Sequence, residues 1–274
     1  KYLGKTQKED LLNLSLKTKP FILRRTKEEV LTELPPKQEE VVKLEMGEKQ
    51  KDFYMKLKTA FKLQISKELK EHGLNKARFQ VLDSLLKLRQ ACLVPELVNM
   101  ENNTLQDSIK IQYIEENIED MIISGHNLLI FSQFTGFLQY VKNTLDTKDI
   151  QYNYLDGKTK PQERKKLVDE FNNGKKNVFI ISLKAGGTGL NLTKADYVLH
   201  LDPWWNPAVE NQATDRAHRM GQKKTVFVKK LITKDTIEEK ILQLQEKKKK
   251  LIDDLFSGNF SGSLSQEDID FIFE

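Results

Sequence analysis

Hydrophobic positions fall into two textures along the chain. From Glu48 to about His72, Phe53, Leu57, Phe61, Ile65 and Leu69 recur at four-residue steps among lysines, and Gly73 follows as a stop. That spacing predicts a long amphipathic helix. A second helix, from about Lys76 to Leu93, carries Val81, Leu82, Leu85, Leu86 and Leu88 before Pro95 ends it, so the pair predicts a helical hairpin. From Ser108 onward, short apolar runs alternate with helical stretches: Asn127 to Phe131, Tyr152 to Leu155, Val178 to Leu183, Tyr197 to Leu201 and Val226 to Ile232. Strands buried on both faces have no polar side, so this alternation predicts an α/β fold whose mostly parallel sheet is flanked by helices.

The helix boundaries are also marked. Ser108 opens a helix that Gly125 closes, Thr159 and Gln162 suggest a capping box around Pro161, and Asp235 and Glu238 suggest another. The helix after Asp235 has Ile237, Ile241, Leu244, Leu251 and Leu255 on one side and a basic run, Lys247 to Lys250, whose default reading is a solvated face. After Ser257 the chain turns rich in Ser, Gly and acidic residues, and its apolar end, IDFIF, suggests a segment that docks back.

Composition narrows the class. With 38% hydrophobic and 31% charged residues, 13 Gly and 7 Pro, the chain has the make-up of a globular protein with a sizeable core. A net charge of +5 permits an anionic partner without requiring one. Cys92 is the single cysteine, so no intramolecular disulfide is possible and a reducing compartment is expected; the four histidines show no zinc spacing. No apolar run approaches the ~20 residues of a membrane-spanning helix. The chain opens without Met and in mid-pattern, and is expected to be a piece of a longer protein.

Candidate chemistry concentrates in NPAVENQATDRAHRMGQ, Asn206 to Gln222. Asn206 suits an N-cap, Pro207 the first turn and Gly221 a stop, which predicts about four turns of helix. Gln212, Arg216 and Arg219 then stand at i, i+4 and i+7, one amide and two guanidiniums on one face. Guanidiniums so placed suit a triphosphate, because a planar, permanently charged fork binds phosphate oxygens in pairs. Spacing alone favours a solvated face with Asp215 and Glu210 as ion-pair partners, since charged helix faces are usually just solvated. The glycine-rich turn Ala185 to Gly189 follows a strand, which suits close approach to a phosphate or simply a tight turn. A dinucleotide fingerprint fails there, since Leu192 occupies the third glycine position; the Gly-Lys-Thr strings at 4–6 and 157–159 lack the rest of a phosphate loop.

QATDRAHRMGQ resembles the last helicase motif of the SWI/SNF family of superfamily-two DNA-dependent ATPases, with all fixed positions present. ISLKAGGTGLNLTKADYVLHLDPWWNP, Ile181 to Pro207, is similar to the preceding motif, and NLLIFSQF, Asn127 to Phe134, to the one that opens the lobe; YLDGKT, Tyr154 to Thr159, also fits. PFILRRTKEEVLTELPPK, Pro20 to Lys37, resembles the family's link between its two lobes. One departure is Cys92-Leu93-Val94-Pro95, where the family commonly has Cys-Asn-His-Pro; here only a packing turn, with Cys92 buried, is expected.

The resemblance implies a RecA-like C-terminal lobe at 108–256, an interlobe linker at 1–34, a helical insertion or protrusion at 35–107 and a tail at 257–274. It implies an ATP-driven duplex-DNA translocase in which Arg216 and Arg219 act as arginine fingers. Gly186, Gly189, Asn191 and Gln212 would make nucleotide or interlobe contacts. Ser132, Lys184, Thr188 and Trp205 would form the DNA face. ATP would lie against a separate N-terminal lobe holding the phosphate loop and most ligands of Mg2+, so this chain alone is expected to be inactive. Such a protein would be cytoplasmic and nucleoid-associated in a bacterium or archaeon, or nuclear in a eukaryote. A strand-separating helicase lobe and a non-enzymatic DNA-binding or regulatory module remain the alternatives.

Overall fold

The structure, a computed structural model, describes residues 33–98, 106–186 and 189–246, together with residue 17 and, over 72–78, the backbone alone. Most of the linker, Thr188, the Lys247 to Lys250 run and the tail lie outside the described residues.

Six parallel strands form one sheet: β1 (Lys37–Leu44), β2 (Leu128–Ser132), β3 (Tyr152–Leu155), β4 (Val178–Ser182), β5 (Tyr197–His200) and β6 (Val226–Thr233), in the order β1-β6-β5-β2-β4-β3. The five apolar runs each become a strand. In the centre, β2, β4 and β5 are buried along their whole length, as expected for strands covered on both faces. Helices α2 (Ile109–Ile123) and α3 (Thr135–Thr147) cover one face, meeting Leu128, Ile130, Val178 and Ile180 with Ile114, Ile118, Phe137 and Val141. On the other face lie α4 (Pro161–Asn172) and α6 (Pro207–Thr214), and there Phe131, Phe179 and Val198 pack with Phe171 and Ala213. A single turn, α5 (Leu183–Gly186), follows β4.

β1 is not foreshadowed by the apolar pattern. Its sequence, KQEEVVKL, pairs with β6 alone at the sheet edge, where one side of the ladder and most side chains face solvent. The segment read as a helical addition therefore begins with a strand of the lobe's own sheet.

Helical backbone then runs from Glu48 to Leu93 as α1. A straight helix of 46 residues would span about 69 Å, yet Gln50 Nε2 donates to the carbonyls of Ala91 at 3.0 Å and Cys92 at 3.2 Å. The helix must double back, and the hairpin is formed. Between its arms, Tyr54, Leu57, Phe61 and Ile65 bury with Val81, Leu85 and Leu88, joined by Ile237, Ile241 and Leu244 of α7, described over 237–246. Cys92 is buried and unpaired as a disulfide, its thiol pushed well up by burial.

Of the caps expected at Ser108, Thr159 and Asp235, Ser108 is the one the structure keeps. Its Oγ accepts from Ile111 N at 3.2 Å and donates to Leu93 O at 2.5 Å, tying α2 to the end of the hairpin. Ser108→Ala loses both bonds and is expected to cost about 1–2 kcal/mol, read as a lowered urea midpoint with an unchanged slope. Two expected boxes are corrected. Lys160, without a side-chain bond, caps α4, because Thr159 Oγ1 is taken by the Asp156 turn. The box at Asp235 moves one residue on, where Thr236 Oγ1 accepts from Glu238 N and Glu239 reaches back to Asp235 N.

Glu238 is thereby released for another role. Lys110 and Glu238 form a fully buried ion pair at 2.6 Å. Lys110 Nζ also donates to Leu201 O and Leu231 O, while Glu238 Oε2 accepts from Thr233 N. One ammonium thus joins α2, the ends of β5 and β6, and α7. Among the described residues no helix is long and apolar enough to cross a membrane.

Candidate functional site at the carboxyl edge of the sheet

All strands point the same way, so the segments leaving β2, β4 and β5 emerge along one edge. The candidate residues gather there. After β4 come exposed Lys184, buried Gly186, exposed Gly189 and exposed Asn191; Ser132 ends β2, and after β5 come Trp204 and Trp205. A Cβ on Gly186 would stand 2.9 Å from the Phe131 ring, so only glycine fits. Gly189 has φ +42°, a left-handed value that side chains disfavour.

The arginines reach this edge by a route other than the expected one. Asn206 caps α6 through Ala208 N and Pro207 opens it, but the helix ends at Thr214 and Arg216 and Arg219 lie in the turns that follow. There a tertiary bond, Leu192 N donating to Arg216 O at 3.0 Å, ties the turns to the segment after β4. Arg216 Nε then donates to Gly186 O at 2.9 Å and Arg219 Nη1 to Leu190 O at 3.4 Å, bringing both side chains to the glycine-bearing stretch. Burial first, and then the charge of Arg219, depress the pKa of Arg216. Gln212 is exposed on α6, while Asn191 accepts through its carbonyl from Asn172 Nδ2 at 2.8 Å.

Gln222 explains the end of this motif. Its amide donates to the carbonyls of Thr193, Ala195 and Ala217, and its Oε1 accepts from Lys223 N and Lys224 N, clamping the arginine turns to the segment before β5. His218 Nε2 lies 2.8 Å from Pro35 O, joining the turns to the chain entering β1. His200 stacks on Phe131 and bonds Thr214 Oγ1 at 2.9 Å; burial pushes its pKa down to about 4, so it is a neutral packing residue.

Ser132 sits below the surface, with Oγ 2.5 Å from Asp202 Oδ1. Asp202 also accepts from Gln133 N and Gln133 Nε2. Burial pushes the Asp202 carboxyl up to about 6, against the pull of Arg89 and Ser132. Trp205 is half-buried against the hairpin and Trp204 against the core beneath α6. Sequence reading nominated neither Asp202 nor Arg89. The second of these stands in the hairpin, far along the chain from its partners, and no local pattern marks it.

The chain matches the SNF2-related domain over residues 2–97 and the helicase conserved C-terminal domain over residues 109–221. It is 30% identical to the SWI2/SNF2 ATPase C-terminal domain of Sulfolobus solfataricus, with a TM-score of 0.67 over 86% of this chain and 97% of that one. The chain belongs to the SWI/SNF family, as the C-terminal lobe of a superfamily-two helicase. Its all-parallel, helix-flanked sheet is the RecA-like fold expected for that lobe. The SWI2/SNF2 ATPase core of the same organism in complex with dsDNA is 32% identical, with a TM-score of 0.69 over 95% of this chain and 55% of that one. An ATP-dependent helicase of Mycoplasma pneumoniae is 39% identical over 271 residues, which are 95% of this chain and 25% of that protein. The lobe spans about a quarter of the length of such curated relatives.

Proposed function

We propose that this lobe works in an ATP-driven duplex-DNA translocase, supplying Arg216 and Arg219 as arginine fingers to a nucleotide held against an N-terminal lobe. The observation that carries the reading is the convergence of both guanidiniums on the Gly186 to Leu190 stretch. Two neighbouring positive charges, one of them partly buried and depressed by the other, fit a polyphosphate, which would relieve both penalties. On lobe closure the guanidiniums would exchange carbonyl acceptors for phosphate oxygens, a favourable trade because the phosphate brings its own negative charge and matches the paired donors of the planar fork. Gly186, Gly189, Asn191 and Gln212 are the nucleotide or interlobe contacts in this reading.

Among the described residues no group of three His, Cys, Asp or Glu side chains is arranged to hold a metal. The reading places Mg2+ mainly on the N-terminal lobe. We divide the chain into linker (1–34), insertion (35–107), lobe (108–256) and tail (257–274), with β1 of the insertion completing the lobe's sheet.

The DNA face comprises Lys184, Thr188, Trp205 and Ser132, the last reached only if its bond to Asp202 opens. A motor that tracks a duplex reads phosphates, so affinity should fall steeply with salt and depend little on sequence. Fluorescence-anisotropy titrations of this chain with two unrelated duplexes at two salt concentrations check this. Salt-indifferent or strongly sequence-selective binding would contradict the reading.

A further inference from the structure

The carboxyl ends of β2 and β5, neighbours in the sheet, diverge: the chain leaves β2 toward β3 on one side and β5 toward β6 on the other. Such a divergence opens a crevice where parallel α/β proteins generally place ligands. Here Arg89, from the second arm of the hairpin, lies among the residues that border it. The residue is only 3% exposed. Its Nη1 donates to Gln133 Oε1 at 3.2 Å after β2, and its Nη2 donates to Pro203 O at 2.5 Å and meets Asp202 Oδ2 at 3.5 Å after β5. Three rings surround the guanidinium, with centroids at 5.4 Å (Phe134), 5.8 Å (Trp204) and 5.5 Å (Trp205).

Stability alone does not account for this residue. A buried guanidinium is heavily desolvated, its Nε finds no acceptor among the described residues, and an apolar side chain of similar volume often serves a core as well or better. What an apolar side chain cannot do is bond two loops at once while lying against flat rings. Arg89 does this between three segments that chain connectivity leaves separate.

We propose that Arg89 is a positioning residue that locks the Pro203–Trp205 turn to the helical hairpin and to the loop after β2. Taken with the reading above, which puts Trp205 at the DNA face, the hairpin and the DNA-contacting turn then respond as one body.

Trp204 and Trp205 are the two tryptophans of the chain, so its intrinsic emission reads this turn directly. In the absence of DNA, Arg89→Met is expected to keep a cooperative melt while red-shifting the emission and raising acrylamide quenching. Arg89→Lys should shift the same way, since an ammonium keeps the charge but neither lies flat nor bridges both loops. A space-filling role would leave the folded Met variant with wild-type emission, and that result would overturn the proposal. Should both variants fail to fold, Gln133→Ala decides, because its partly exposed side chain removes one anchor from the opposite loop; unchanged emission there also refutes the lock. Adding duplex DNA separates the two readings. Wild-type emission that ignores DNA sinks the DNA-face assignment of Trp205, whereas the DNA-free shifts alone decide whether Arg89 holds the turn.

Discussion

Replacing Arg219 by Ala in the full-length protein should lower DNA-stimulated ATP turnover by about 10³ to 10⁵, the range arginine fingers contribute in other NTPases. Its side-chain bond to Leu190 O at 3.4 Å is long, so the folded state is expected to lose little and the kinetic effect is not a stability effect in disguise. Arg216→Ala should act in the same direction with some added destabilisation, because it gives up the 2.9 Å bond to Gly186 O. Lysine at either position should rescue poorly, since a point ammonium cannot reproduce the paired geometry of a guanidinium on phosphate. Duplex affinity measured without nucleotide should stay near wild type for both alanine variants. Steady-state hydrolysis with saturating DNA, alongside thermal melts, is the measurement. Normal DNA-stimulated rates in both alanine variants would remove the arginine-finger assignment.

The second large effect concerns the Lys110–Glu238 pair. Lys110→Ala strands a fully buried carboxylate and takes the shared donor from Leu201 O and Leu231 O, so it is expected to destabilise the lobe by about 3–5 kcal/mol. The ends of β5 and β6 should loosen together with α7, which hydrogen exchange would localise. Lys110→Met with Glu238→Leu should recover part of the loss by removing both charges at once, but not all of it, because Thr233 N and the two carbonyls remain without their partners. Urea unfolding of the chain carries the test. A shift of Lys110→Ala within about 1 kcal/mol of wild type would mean that water or rearrangement satisfies the pair.

Lys110 and Glu238 stand in the sequence as an ordinary charged residue of a helix start and half of a supposed capping box, which is why neither drew notice. The same limit recurs across the molecule. Strands β2 to β6 were legible because each carries a short apolar run, continuous in β2, β4 and β5 where both faces are buried, and the hairpin was legible because each arm repeats its apolar stripe at helical spacing. Edge strand β1 was not, since a strand with solvent beside it carries charges at most positions and is defined by its pairing to β6. At the candidate site the residue types were fixed locally: two arginines, a glycine stretch and two adjacent tryptophans. Their arrangement was not. The sequence called for four turns of helix to stack Gln212, Arg216 and Arg219, but α6 stops at Thr214 and the turns that follow are tied by Leu192 N to a segment folded against them. Arg89 is the plainest case, for its acceptors lie 44 and 114 residues away. Periodicity and caps are properties of neighbours in the chain. Which guanidinium meets which carbonyl across a crevice is decided only when the sheet closes and desolvation leaves each buried donor the acceptors within its reach.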